Sequence, residues 1–250
     1  MFKPAFYRDI HDIQHFYRSY AGRLCRRRLA HAINHLWRPP LPTEKIVGIG
    51  YTQPYLSDML NKTAVFSLMP ADMGASPWLN AAGQHIGLMA MEESLPLADN
   101  SIDRLLLVHS LEMSENRRQY LRELWRVLAP EGLMLLVVPS RTGFWAHGEH
   151  TPFGQGTPFT MSQLQFLLQD HLFTPLKTSH ALYFLPCNRR FFLRLSIVVE
   201  KFYEKLFPSL AGVHLVLCQK RVYANIYTAG KKKQPNMQAV DSYSSTMDKP

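Results

Sequence analysis

Residues 95–103 read LPLADNSID and residues 120–132 read YLRELWRVLAPEG, with RLLLVH at 104–109, apolar over 105–108, between them and LMLLVVP at 133–139 after them. Both apolar runs are short, unbroken and rich in Leu and Val. That is the pattern of strands covered on both faces. Ala98, Asp99, Asn100 and Ser101 lead into the first run as a turn, so Asp103 opens the strand. From Glu115 to Leu128 the residues Leu121, Leu124, Trp125 and Leu128 recur at helical spacing. Glu123 and Arg126, three apart, can pair on one face of that helix. Pro130 and Gly132 end the helix and turn the chain into the second strand. Strand, helix, strand is the signature of a crossover joining parallel strands.

The same alternation extends upstream. Lys45–Gly50 is a short apolar strand ending in glycine, a helix follows over Tyr55–Asn61, and Ala64–Leu68 is a second strand ended by Pro70. His85–Met91 is a third strand candidate. Downstream, 140–159 is a loop rich in Gly, Pro, His and Thr, and Ser162–Asp170 is a helix with Leu164, Leu167 and Leu168 inward. Ala181–Leu185 and Val213–Leu217 are strand candidates around a helix over Phe191–Phe207. The expected organisation is a basic helical cap over 1–40, an α/β domain over 41–227 and a polar, disordered tail over 228–250. In such a sheet, ligands belong at the carboxyl ends of the strands.

The formal charge of +9 is concentrated at the ends. Residues 1–40 carry eight Lys and Arg against Asp9 and Asp12, a balance of +6, and the tail adds +2. The body is left near neutrality, with no general field to draw in nucleic acid. A triple Arg26, Arg27 and Arg28 could face phosphates, but a solvated helix face is its commoner meaning. Three cysteines (Cys25, Cys187, Cys218) without a CxxC pair argue against a disulfide framework and against a thiolate zinc site, and fit a reducing, cytoplasmic setting. No apolar run approaches the roughly 18 residues of a membrane span. There is no G-x-S-x-G elbow and no P-loop.

The stretch at 95–103 resembles the L-P-F-x-x-x-x-F-D stretch of type 11 methyltransferases, which depend on S-adenosylmethionine (SAM). The stretch at 120–132 resembles that family's R-E-x-x-R-V-L-x-P-G-G. Order and spacing both match, and the resemblance covers about residues 40–222. It implies the class I methyltransferase fold: a Rossmann-like, seven-stranded, mostly parallel sheet whose last two strands form an antiparallel hairpin. It also implies SAM as cofactor. By the resemblance, a Gly-rich turn after the first strand cradles SAM. Here that turn is Gly48, Ile49, Gly50, Tyr51, Thr52, Gln53 and Pro54. Gly50 keeps the first glycine position, Gly48 stands where an acid is expected, and Thr52 and Pro54 replace the second and third glycines. The ends of the next two strands should carry acids for the ribose and the adenine. Met69 and Met91 stand there instead, with Glu92 adjacent, and His109 stands by the methionine end. The implied cofactor-binding set is thus Gly48, Gly50, Tyr51, Thr52, Met69, Met91, Glu92 and His109.

The loop after 139 should fold over the cleft, where His147 or His150 could serve as a base. Tyr17 or Tyr20 could reach ligand from the cap. The resemblance therefore leads to methyl transfer onto an acceptor the sequence does not identify, more readily a small molecule than a macromolecule. Loss of two glycines and two acids leaves a second expectation, an inactive methyltransferase-like scaffold that binds through its basic N-terminal helix.

Overall fold

The computed structural model describes residues 9–60, 62–148, 151–184 and 210–222. Helices α1 (Ile10–Arg18) and α2 (Tyr20–Leu36) lead into strand β1 (Lys45–Gly50), the short helix α3 (Gln53–Leu56), β2 (Ala64–Pro70), β3 (Gly87–Ala90) and β4 (Ile102–Val108). Helix α4 (Arg117–Val127), β5 (Leu128–Pro139), α5 (Met161–Asp170), β6 (Phe173–Ala181) and β7 (Val213–Lys220) complete the chain order. The seven strands lie in the order β3-β2-β1-β4-β5-β7-β6. All neighbours pair in parallel except β5 with β7 and β7 with β6.

Period-two alternation along the central strands divides the interior into two cores. Ile46, Leu106, Val108, Leu135 and Val137 face α1 and α2. Val47, Ile49, Leu105, Leu107, Met134 and Leu136 face α4 and α5. Strands clad on both sides favour apolar residues at successive positions, which is why the runs at 105–108 and 133–139 are unbroken.

Several elements differ from the expectations above. The helical region 10–37 is two helices, because Ser19 (ψ 166°) leaves the helical region of the backbone map. Its hydroxyl accepts from Gly22 N at 3.0 Å, capping α2, while its own N–H closes α1 on Phe16 O. The helix expected over Tyr55–Asn61 is a single turn continued by a 3-10 turn, Ser57–Met59. The edge strand is Phe173–Ala181 rather than Ala181–Leu185; its exposed middle, Leu176, Lys177 and Thr178, breaks any apolar run, so an apolar-run criterion passes over it. The helix expected over Phe191–Phe207 and the tail from 228 lie outside the described residues. Among the described residues no helix is long and apolar enough to cross a membrane.

The stretches that marked the fold meet at Arg126. Its guanidinium donates to Glu123 Oε1 and Oε2 (3.0 and 2.8 Å), to Asp99 Oδ1 (2.6 Å) and to the carbonyls of Leu97 and Leu95 (2.8 and 3.0 Å). Glu123 in turn accepts from Leu95 N at 3.1 Å. The arginine thus pins the 95–99 loop against α4. Truncation of Arg126 to alanine is expected to cost about 2 kcal/mol, since it strands two carbonyls and the partly buried Glu123 carboxylate, while the exposed Asp99 turns to water. Urea titration of the variant checks this, and a loss under about 0.5 kcal/mol would reduce the network to surface decoration.

Candidate functional site

Two regions occupy the carboxyl edge of the sheet. The first is a pocket of about 220 Å³ beyond β2 and β3. Pro70, Ala71, Asp72 and Met73 form one wall; Met91, Glu92 and Glu93 form another; Met113 and Glu115, from the loop after β4, close it. Burial pushes the Glu92 carboxyl up to about 7, with the neighbouring charges of Glu93, Asp72 and Glu112 adding and the Ser114 hydroxyl opposing. The pocket is therefore acidic, and the Glu92 carboxyl within it titrates near neutrality.

The second region, beyond β1 and β4, is filled by aromatic rings. Tyr17 of α1 lies 4.9 Å from the Tyr51 ring, and His109 lies 4.6 Å from Phe153. Trp145 meets Phe153 edge-on at 5.5 Å and Phe16 at 6.3 Å. The Tyr17 hydroxyl hydrogen-bonds His109 Nε2 at 2.9 Å and accepts from the Tyr55 hydroxyl at 3.2 Å. Burial raises both phenols well above their usual range, so they stay neutral. His109 sits fully buried at φ 54°, in the left-handed region that a side chain seldom adopts. On its other side Nδ1 lies 3.6 Å from Glu112 Oε1, and Glu112 Oε2 accepts from Ser110 N.

The implied cofactor residues divide between these regions. Met91 (68% exposed) and Glu92 line the pocket. Met69 is buried beside it, its sulfur accepting from Ser76 N. Tyr51 and His109 belong to the aromatic cluster. Two amides of the Gly-rich turn are already engaged: Tyr51 N donates to Val108 O at the end of β4 (2.9 Å) and Thr52 N to Gly50 O within the turn (3.1 Å). A Cβ on Gly48 would fall 2.1 Å from Thr52 Oγ1, so glycine there makes room for the threonine. The loop after β5 does fold over this edge through Trp145 and Phe153, but His147 is exposed on its 3-10 turn, and His150 lies outside the described residues. Tyr20 is half-buried against the first core, whereas Tyr17 enters the cluster. Glu112, Met113 and Glu115 had no sequence signal beyond their place after an apolar strand.

A methyltransferase-domain family model matches residues 47–136. Among solved structures, a SAM-dependent methyltransferase from Thermotoga maritima superposes with a TM-score of 0.60 at 16% identity, covering 86% of this chain and 97% of its own. A SAM-dependent methyltransferase from Archaeoglobus fulgidus gives 0.55 at 15%, covering 85% and 100%. The [4+2]-cyclase SpnF gives 0.50 at 16%, covering 83% and 84%. No curated protein sequence matches the chain. The cyclase is a reminder that one fold hosts several chemistries. Sequence match and strand order together place residues 47–136 in the methyltransferase-domain family, within a sheet of the class I SAM-dependent methyltransferase fold.

Proposed function

We propose that the chain is a SAM-dependent methyltransferase acting on a small acceptor, with the nucleoside half of the donor held in the acidic pocket beyond β2 and β3. The observation that carries this is the pocket's position, at the strand ends where the fold receives the adenosine, together with its carboxylates. The residues fit that half: Glu92 and Asp72 can accept from ribose hydroxyls and from the adenine amine. They fit the methionine half only once Tyr17 leaves His109, because the cluster now fills that space. Bound SAM supplies an electrophilic methyl group, transferred by direct displacement. The chain's own part is to orient and to exclude water, a part that suits the packed rings of Trp145 and Phe153 at this edge. The buried free thiols of Cys25 and Cys218 support a reducing, cytoplasmic setting.

Calorimetric titration with SAM is the test. Micromolar binding is expected, and none at millimolar SAM would overturn the reading. The pH dependence is specific to Glu92. Its ionised form is the better acceptor, so SAM affinity should rise about tenfold between roughly pH 6 and pH 8, as the carboxyl titrates through about 7. Glu92→Gln should flatten that profile. The stability linkage has the opposite sign. A carboxyl raised in the folded state from its usual 4.5 to about 7 favours folding at low pH and loses that contribution as pH rises from about 4.5 through about 7, so the unliganded wild type should lose stability over that range relative to the variant.

A further inference from the structure

Next to the acidic pocket, and sharing Glu115 with it, lies a second cavity of about 460 Å³. Its wall is cationic. Arg117 and Arg118 open helix α4, and Arg141 follows β5. Its floor is apolar, made of the buried ring of Phe159 and the flank of Leu167.

Three observations set these arginines apart from an ordinary solvated face. Firstly, the first turn of α4 carries two cations and no acid. That is the helix end where the backbone dipole already presents positive charge, so the arrangement costs stability unless an anion joins it. Secondly, none of the three guanidiniums has a carboxylate partner; the ion pairs among the described residues use Arg38, Arg104, Arg126 and His109 instead. Thirdly, two of them are held in place by neutral groups. Arg117 donates to Thr157 Oγ1 at 2.5 Å and lies 5.6 Å over the Phe159 ring, and its Nε is buried without a partner. Arg141 donates to Pro158 O at 3.3 Å. Guanidiniums oriented by neutral partners keep their remaining donors for a planar or tetrahedral oxyanion.

We infer that this cavity binds the anionic end, carboxylate or phosphate, of a small methyl acceptor whose apolar part rests on Phe159 and Leu167. The acceptor role rests on the methyltransferase reading above, and Glu115, common to both cavities, marks where the two ligands would approach. A small molecule fits better than a polymer, since residues 41–227 are close to charge balance and Glu115 would oppose an extended phosphate backbone.

The test is calorimetric titration of the full chain with phenyl phosphate and, separately, with benzoate, which distinguish the two oxyanions. At least one should bind the wild type in the millimolar range or tighter. Arg117→Gln/Arg141→Gln should weaken that probe tenfold or more, with SAM affinity unchanged. Arg141→Gln alone, at an exposed position, should weaken it several-fold with an unaltered melting temperature. Equal probe affinity in wild type and variants, or no binding of either probe, overturns the site. So does binding of single-stranded RNA, lost in the double variant and with salt, in place of either probe. Probe binding by a chain that fails to bind SAM keeps the anion site and removes its role in methyl transfer, so the two failures are separable.

Discussion

Replacing Gly50 with alanine is expected to lower the stability of the fold by about 3–4 kcal/mol. Gly50 ends β1 at φ 85°, where an L side chain is strained. An added Cβ would also fall 2.2 Å from Val108 O and 3.0 Å from His109 O. Those atoms are backbone of the central strand β4 and cannot rotate away. Relief requires β1 and β4 to separate where Tyr51 N bonds Val108 O. Gly83→Ala is the control, since Gly83 has φ 75° but open space around its Cβ direction. It should lose only the left-handed strain, about 1 kcal/mol. Thermal unfolding separates the two, with about 6–15 °C expected for Gly50→Ala and a few degrees for Gly83→Ala. Equal losses would mean that strain alone acts at Gly50 and that the strand contact yields. Loss of ligand binding in a Gly50 variant would report on the strand as much as on a cofactor, which is why Glu92 carries the binding test.

The glycine turn also shows how sequence and structure diverge. Two departures from the family pattern, Gly48 for an acid and Thr52 for a glycine, look like two independent losses. In the structure they are one exchange: the Thr52 side chain fills the volume that a side chain at 48 would need. The amides of Tyr51 and Thr52 are meanwhile spent on the carbonyls of Val108 and Gly50. The central strands were legible because burial on both faces leaves a run of apolar letters, and Arg126 was legible because its partners recur at fixed spacing. Edge strand β6 was not, as Leu176, Lys177 and Thr178 stand exposed at its middle and leave neither an apolar run nor a clean alternation. The aromatic cluster was not either. Its members come from α1, from the turn after β1, from β4 and from the loop after β5, and no local period links residues 17, 51, 109, 145 and 153. The arginine cavity has the same character, since Arg117 and Arg141 converge only through Thr157 and Pro158.

Tyr17→Ala should change stability and ligand affinity in opposite directions. The ring is 5% exposed and packs against Phe16, Tyr51 and His109. Deleting it leaves a cavity and orphans two polar partners, at a cost of about 3–5 kcal/mol. On the proposed placement of the donor, those same contacts occupy the methionine half of the cleft, so they stabilise a closed form that competes with SAM. Removing a contact unique to the competing state raises apparent affinity by the corresponding free energy. Tyr17→Phe isolates the hydroxyl. It keeps the ring but removes the bonds to His109 and Tyr55, and a loss of about 1.4 kcal/mol in the closed form corresponds to tenfold tighter SAM binding. Tyr17→Ala should tighten binding at least as much, measured well below its lowered melting temperature. Weaker SAM binding in both variants would instead make Tyr17 part of the donor's wall. Unchanged binding in both would place the donor clear of α1 and leave the tyrosine as core packing alone. Tighter binding with lower stability would identify a buried contact that the fold retains at the expense of ligand affinity, the trade-off expected where a strained, rule-breaking residue such as His109 lies at a functional edge.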